Sequence, residues 1–237
     1  MTNNGKLYGI GVGPGDPELI TIKAVNAIKR SEIIFAASSS RNTYSLAVEI
    51  ARPYVDIPDS NIHMLPFPMT KNQQVAETAW QANSQRIANE LRNGRTAAFL
   101  TLGDPTTYST FGYILRSMKS VMPNAAIETI PGITSFHAAS ARLNRILVEA
   151  EESLLITSGA FGGDRIRQAE NVDRVAVVKA YKNIKDVNNA LKETGFDQDS
   201  VAVSHCGRKD EAIIHNLDQL ESRHPDYWTL ILGSKTE

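Results

Sequence analysis

The chain has 237 residues, 42% hydrophobic and 22% charged, with 25 lysines and arginines against 26 aspartates and glutamates, a formal net charge of -1. This composition describes an ordinary globular protein and argues against intrinsic disorder, and the balanced charge lacks the basic excess on which bulk nucleic-acid binding depends. The one cysteine, Cys206, excludes an intrachain disulfide, "MTNNGK" is no signal peptide, and runs such as "IIFAA" fall far short of the roughly 20 residues of a membrane helix, so a cytoplasmic protein without nucleic-acid or membrane partners is expected.

The first strand is read at "KLYGIGVG", and it runs into "GIGVGPGDPELIT" at 9–21, where four glycines and two prolines crowd together. Such a loop invites a nucleotide-phosphate reading, and its spacing refuses it. From Gly9 the sixth position of G-x-G-x-x-G is Pro14, and from Gly11 it is Asp16; no G-K-[ST] follows either. Asp16 is read as the cap of a helix whose first turn holds Pro17 and which runs to about Arg30, with Ile20, Ala24, Ala27 and Ile28 on its buried face. "EIIFAA" follows as a buried strand, so strand, helix and strand imply a parallel pair.

A helix at 44–52, a strand at "NIHMLPF" and a long helix at 73–93 stopped by Gly94 come next. The strand "TAAFLTLG" then ends at Gly103-Asp104-Pro105, repeating the Gly15-Asp16-Pro17 punctuation of the first loop. A helix at about 107–120 leads to "KSVMPN", where Pro123 and Asn124 break the pattern and a domain boundary is expected at about 121, giving domains 1–120 and 121–237. Beyond it lie the strand "AAIETI", a helix at about 134–143, and strands at "SLLITS", "RVAVVKA", "SVAVSH" and "YWTLILG". Helices at "DRIRQAE" and "IKDVNNALKETG" make this half layered α/β as well, with a mixed sheet. Open α/β sheets bind ligands beyond the carboxyl ends of their strands. Gly15, Gly103 and Gly132 all lie in such loops, and three small-residue loops converging there would let backbone approach a ligand closely.

In order and spacing, "GVGPGDPELIT", "TLGDPTTYST", "IPGITS" and "VVKAY" resemble the tetrapyrrole methylase family. Within it, "PFPMT" at 66–70 followed by Trp80, together with "ARLNRILVEAEESLLITSG", is similar to the precorrin-2 C-20 methyltransferases of cobalamin biosynthesis. The resemblance implies two α/β domains with the active-site trough between them, S-adenosylmethionine as methyl donor, a homodimer, and methylation at C-20 of precorrin-2 or cobalt-factor II. Another tetrapyrrole position, or a non-catalytic binding module, is the alternative. It implies cofactor contacts at Gly103, Asp104, Thr106, Thr107, Tyr108, Ser109, Thr134 and Ser135, and at Tyr181, where many members have methionine. A carboxylate such as Asp104 suits the cofactor's ammonium or ribose hydroxyls.

Pro14, Gly15 and Asp16 are expected to border the tetrapyrrole. Its carboxylate arms call for cations, and Arg41, Lys71 and Arg208 are the candidates. No residue is assigned as the catalytic base. His205 and Cys206 are adjacent on a predicted strand and therefore point to opposite faces, and no H-x-x-H or C-x-x-C cluster exists, so no protein-bound metal is expected.

Overall fold

The computed structural model describes residues 4–38 and 45–235. The chain forms two compact units, Met1–Thr134 and Ser135–Glu237. In the first, strands β1 (Lys6–Gly11), β2 (Ile33–Ser38), β3 (Ile62–Pro66), β4 (Ala97–Thr101) and β5 (Ala126–Ile130) form a parallel sheet in the order β3-β2-β4-β1-β5. Every residue of β4 is buried, which is why its sequence is a continuous apolar run and not an alternating one.

Helices α1 (Ile22–Arg30) and α2 (Leu46–Ala51) accompany the connections that step from β1 to β3, whereas α3 (Gln73–Arg92) and α4 (Phe111–Val121) accompany those that step back to β5. Right-handed crossovers in opposite directions put the two pairs of helices on opposite faces of the sheet. On one face Ile87 and Leu91 of α3 join Phe111, Ile114 and Met118 of α4 around Phe99. There Trp80 stacks on Tyr113 with ring centroids 3.9 Å apart and planes 9° from parallel. Burying each large side chain in such a cluster contributes about 1.5–3 kcal/mol. The direction of the connections reverses between β1 and β4, so their carboxyl ends bound the crevice where sheets of this kind take ligands.

Three sequence-based expectations change. Asp16 caps only a single 3₁₀ turn, Pro17–Leu19; Ile20 returns to extended backbone and Thr21 caps α1, its side chain accepting from the Ala24 N–H at 3.2 Å. The helix expected from about 107 begins at Phe111, because Tyr108 adopts a left-handed φ of 50°. The boundary expected at about 121 falls after Thr134, because "AIETI" pairs in parallel with β1 and completes the first sheet.

The second unit holds α5 (Ser135–Arg142), β6 (Leu154–Ser158), α6 (Asp164–Arg167), β7 (Arg174–Val178), α7 (Ile184–Thr194), β8 (Asp199–Ser204), β9 (Ala212–Ile214) and β10 (Thr229–Ser234). Its sheet runs β6-β7-β10-β8-β9 and is mixed: β6 and β7 are parallel, and β10 lies antiparallel between β7 and β8. Val175, Val177, Val187, Leu191, Phe196, Ala202 and Ile231 build its core. Strand β9, three residues long, is too short to show a period in the sequence. The sheet directions bring the carboxyl ends of β6, β7 and β8 and the amino end of β10 to one edge.

Candidate functional site

At the crevice of the first sheet, the loops after β1 and β4 are bonded to each other: the Gly13 N–H donates to the Gly103 carbonyl at 3.3 Å, and the Gly103 N–H to the Gly13 carbonyl at 2.8 Å. The loop after β5 closes on both. A Cβ on Gly11 would stand 2.5 Å from the Gly103 oxygen and 2.7 Å from the Gly132 nitrogen, and one on Gly132 would run into the Gly103 oxygen. The bare backbone therefore serves first to let three loops touch. The first loop enters this junction through Gly11 and Gly13, and Gly15 lies farther along it, half-buried with Pro14 and Asp16.

Asp104 fastens the junction. It is 8% exposed; Oδ1 accepts from the Thr106 N–H at 2.8 Å, from the Thr106 hydroxyl and, at 3.5 Å, from the Thr107 hydroxyl, while Oδ2 accepts from the Gly132 N–H at 3.1 Å. Burial would push the carboxyl up, but the hydrogen bonds from Thr106, Gly132 and Thr107 outweigh it and hold the group below the ordinary aspartate range. Both oxygens of this carboxylate thus have protein donors, a geometry that its sequence context does not reveal.

After Asp104, Thr106 and Thr107 turn back to it, and Ser109 bonds the Thr101 hydroxyl at 2.8 Å and accepts from the Phe111 N–H at 3.0 Å. Tyr108 is half exposed, and Thr106 is exposed as well although it bonds Asp104. Beside Gly103, whose φ is +62°, a Cβ would meet only the Ile133 oxygen at 3.8 Å and the Thr134 Cα at 3.9 Å, so it is the left-handed backbone and not crowding that favours glycine there. Asp16 accepts from the Glu18 N–H at 2.9 Å. Lys71 is exposed in the loop before α3, next to Asn72, which caps that helix. Arg41 lies outside the described residues.

In the second unit, Ser135 opens α5, and Tyr181 and Arg208 stand in the loops after β7 and β8. The Tyr181 ring meets that of Tyr227 edge to face, with centroids 5.7 Å apart. Lys182 Nζ lies 5.4 Å from the Tyr181 ring centre and Lys179 Nζ 5.2 Å from that of Tyr227. Arg208 Nε is 3.4 Å from Asp210 Oδ1. The sequence places Tyr227 and Trp228 in the last strand, whereas β10 begins at Thr229 and leaves both in the segment before it. Strand β8 stops at Ser204, so strand alternation does not govern His205 and Cys206 as expected. Cys206 is buried, which pushes its thiol up to about 11, whereas His205 turns to two aspartates. Among the described residues no group of three or more His, Cys, Asp or Glu is placed to hold a metal ion, and no helix is long and apolar enough to cross a membrane.

Two α/β units, the first with a glycine loop whose spacing fits neither nucleotide-phosphate template, define a class distinct from the dinucleotide-binding folds. The chain matches the model of the tetrapyrrole (corrin/porphyrin) methylases over residues 6–221 and belongs to that family. It is 33% identical over 229 residues to the probable cobalt-precorrin-2 C(20)-methyltransferase of Methanocaldococcus jannaschii, spanning 96% of this chain and 95% of the relative. To the cobalt-precorrin-2 C(20)-methyltransferase of Salmonella typhimurium it is 28% identical over 234 residues, spanning 98% and 97%. Among solved structures, uroporphyrin-III C-methyl transferase from Thermus thermophilus, complexed with S-adenyl homocysteine, matches with a TM-score of 0.71 at 17% identity, over 97% of this chain and 92% of that one.

Proposed function

We propose that this chain transfers a methyl group from S-adenosylmethionine to C-20 of precorrin-2, in its metal-free or cobalt-loaded form, in the building of the corrin ring. The observation that carries this reading is the end-to-end kinship, 33% identical over 96% of the chain, with a relative named for that reaction. The glycine loop after β1 fits neither nucleotide-phosphate spacing, and S-adenosylmethionine has no phosphate to cradle. When bound, it supplies an electrophilic sulfonium methyl.

The protein's part is alignment. By the family resemblance, Gly103 and Thr134 of the first unit and Ser135 and Tyr181 of the second are the proposed cofactor contacts. Asp104 acts by setting the loop, with Thr106, Thr107 and Ser109 fixing its shape and Tyr108 half exposed beside them. Holding the reacting carbon and methyl in line at about 3 Å supplies several kcal/mol of the barrier reduction. Pro14, Gly15 and Asp16 border the tetrapyrrole, and Lys71, Arg208 and Arg41 answer its carboxylates. A cytoplasmic homodimer accords with the family resemblance.

The test is anaerobic incubation with labelled S-adenosylmethionine and either precorrin-2 or its cobalt-loaded form, reading methyl number by mass and position by NMR. One methyl at C-20 is the expected product, and the substrate that gains it decides the metal state. A methyl at another carbon would move the assignment within the family, and failure to bind the cofactor would overturn it.

A further inference from the structure

We propose that Phe161 and Lys182 hold the tetrapyrrole, Phe161 by lying against the ring system and Lys182 by pairing with one of its carboxylates; the inference rests on the methyltransferase reading. Phe161 is 89% exposed, the most exposed large apolar side chain among the described residues. A single exposed apolar residue is ordinary on a protein surface, so exposure alone assigns nothing. What sets Phe161 apart is the turn that holds it out. That turn, Gly159–Phe161, follows β6 directly and is fastened to the start of α7. The Ala160 carbonyl accepts from the Asn183 side-chain amide at 3.0 Å, and the Gly163 N–H donates to Asp186 Oδ2 at 2.7 Å. Gly162 takes φ 104° and ψ −166°, a region closed to nearly every other residue, and a Cβ on Gly163 would stand 2.3 Å from the Ala190 Cβ. Tied on both sides, the turn keeps the ring in water until something outside the chain covers it.

The surroundings say what covers it. Strand β7 lies between β6 and β10, and this edge carries Phe161 after β6, Tyr181 after β7 and Tyr227 before β10. Aromatic side chains from three adjacent strands suit a flat, conjugated ligand. Lysines are interleaved with them, Lys182 over the Tyr181 ring and Lys179 over that of Tyr227. Lys182 is exposed, forms no ion pair among the described residues, and precedes Asn183, the residue that bonds the Phe161 turn. S-adenosylmethionine carries a sulfonium and an ammonium against one carboxylate, so an added lysine disfavours it, whereas a tetrapyrrole with carboxylate arms is drawn to one. The ligand that fits both the rings and the charge is the substrate, which leaves Tyr181 to the cofactor.

The experiment is anaerobic steady-state kinetics with whichever form of precorrin-2 the wild type methylates, on Phe161→Ala, Phe161→Trp, Lys182→Gln and Lys182→Glu, alongside calorimetric titration of each with S-adenosylhomocysteine. Phe161→Ala should raise KM for the tetrapyrrole about tenfold with a much smaller change in kcat, the pattern of lost uniform binding. Phe161→Trp, which keeps an aromatic face, should stay within about twofold of the wild-type KM. Lys182→Glu should raise KM more than Lys182→Gln, and added salt should shrink the gap between them, a charge effect that a merely structural lysine would not give. The exposed positions make all four variants expected to melt with the wild type. A wild-type KM in Phe161→Ala would overturn the proposal. So would an equal loss of S-adenosylhomocysteine affinity, which would give the ring to the cofactor, or a changed oligomeric state at unchanged KM, which would give it to a second copy of the chain. A wild type that methylates neither form of precorrin-2 would instead overturn the methyltransferase reading, and this inference with it.

Discussion

Asp104 joins two loops with one carboxylate, and its neighbours explain why an acid stands there even before any ligand arrives. Replacing it with asparagine keeps the shape but sets an amide NH₂ or a weaker acceptor against the Thr106 and Gly132 donors. Asp104→Asn should therefore cost about 1–3 kcal/mol of folding stability at neutral pH, read by urea denaturation. The sign with pH follows from a folded-state value held below the unfolded one of about 3.9: the contribution is complete above that value and is lost as pH falls through the lower folded value. The gap between wild type and variant should narrow below about pH 4; a gap of constant size would refute the ionised staple. Gly132→Ala tests the loop junction differently. Its Cβ would strike the Gly103 carbonyl, so a loss of about 1–3 kcal/mol and weakened cofactor binding are expected, and an unperturbed melting curve with full binding would rule the close approach out.

At the scale of elements, β5 is held to the first sheet by its pairing with β1 and by Glu128, which takes Lys23 of α1 at 2.6 Å and Lys6 of β1 at 2.5 Å. Lys23 first, then Lys6, draw its carboxyl down to about 2. Since the folded value lies below the unfolded one of about 4.3, this tie is present above that pH and is lost as pH falls toward the folded value. In Glu128→Gln the acid-unfolding midpoint should move to higher pH at low salt, and added salt should shrink the difference between the two proteins. Identical midpoints at low salt would show the tie to be idle. The two Gly-Asp-Pro repeats teach a related lesson. Both read as helix starts, since glycine, a capping acid and a first-turn proline are the local signals for one. Neither is the start of the following α-helix: the first caps a 3₁₀ turn and the second is committed to Gly132.

For the whole molecule, a cofactor that binds the folded chain and not the unfolded one stabilises it by mass action, by about 2.7 kcal/mol at a hundredfold excess over the dissociation constant. S-adenosylhomocysteine should raise the melting temperature with a logarithmic dependence on concentration, and no shift at millimolar ligand would count against the assignment. What the sequence alone determined was whatever depends on near neighbours along the chain: buried apolar runs for the strands, helical spacing for α1 and α7, balanced charge, and four ordered motifs that place the chain in its family. The tertiary structure decided everything that depends on partners far apart in the chain. It assigned β5 to the first unit, set Gly11, Gly103 and Gly132 against one another's backbone, gave both oxygens of Asp104 to the protein, and brought His205 to Asp226 and Tyr227 to Tyr181. Residue type and spacing record what a group can donate, accept or bury, and only the folded path determines which distant group meets it.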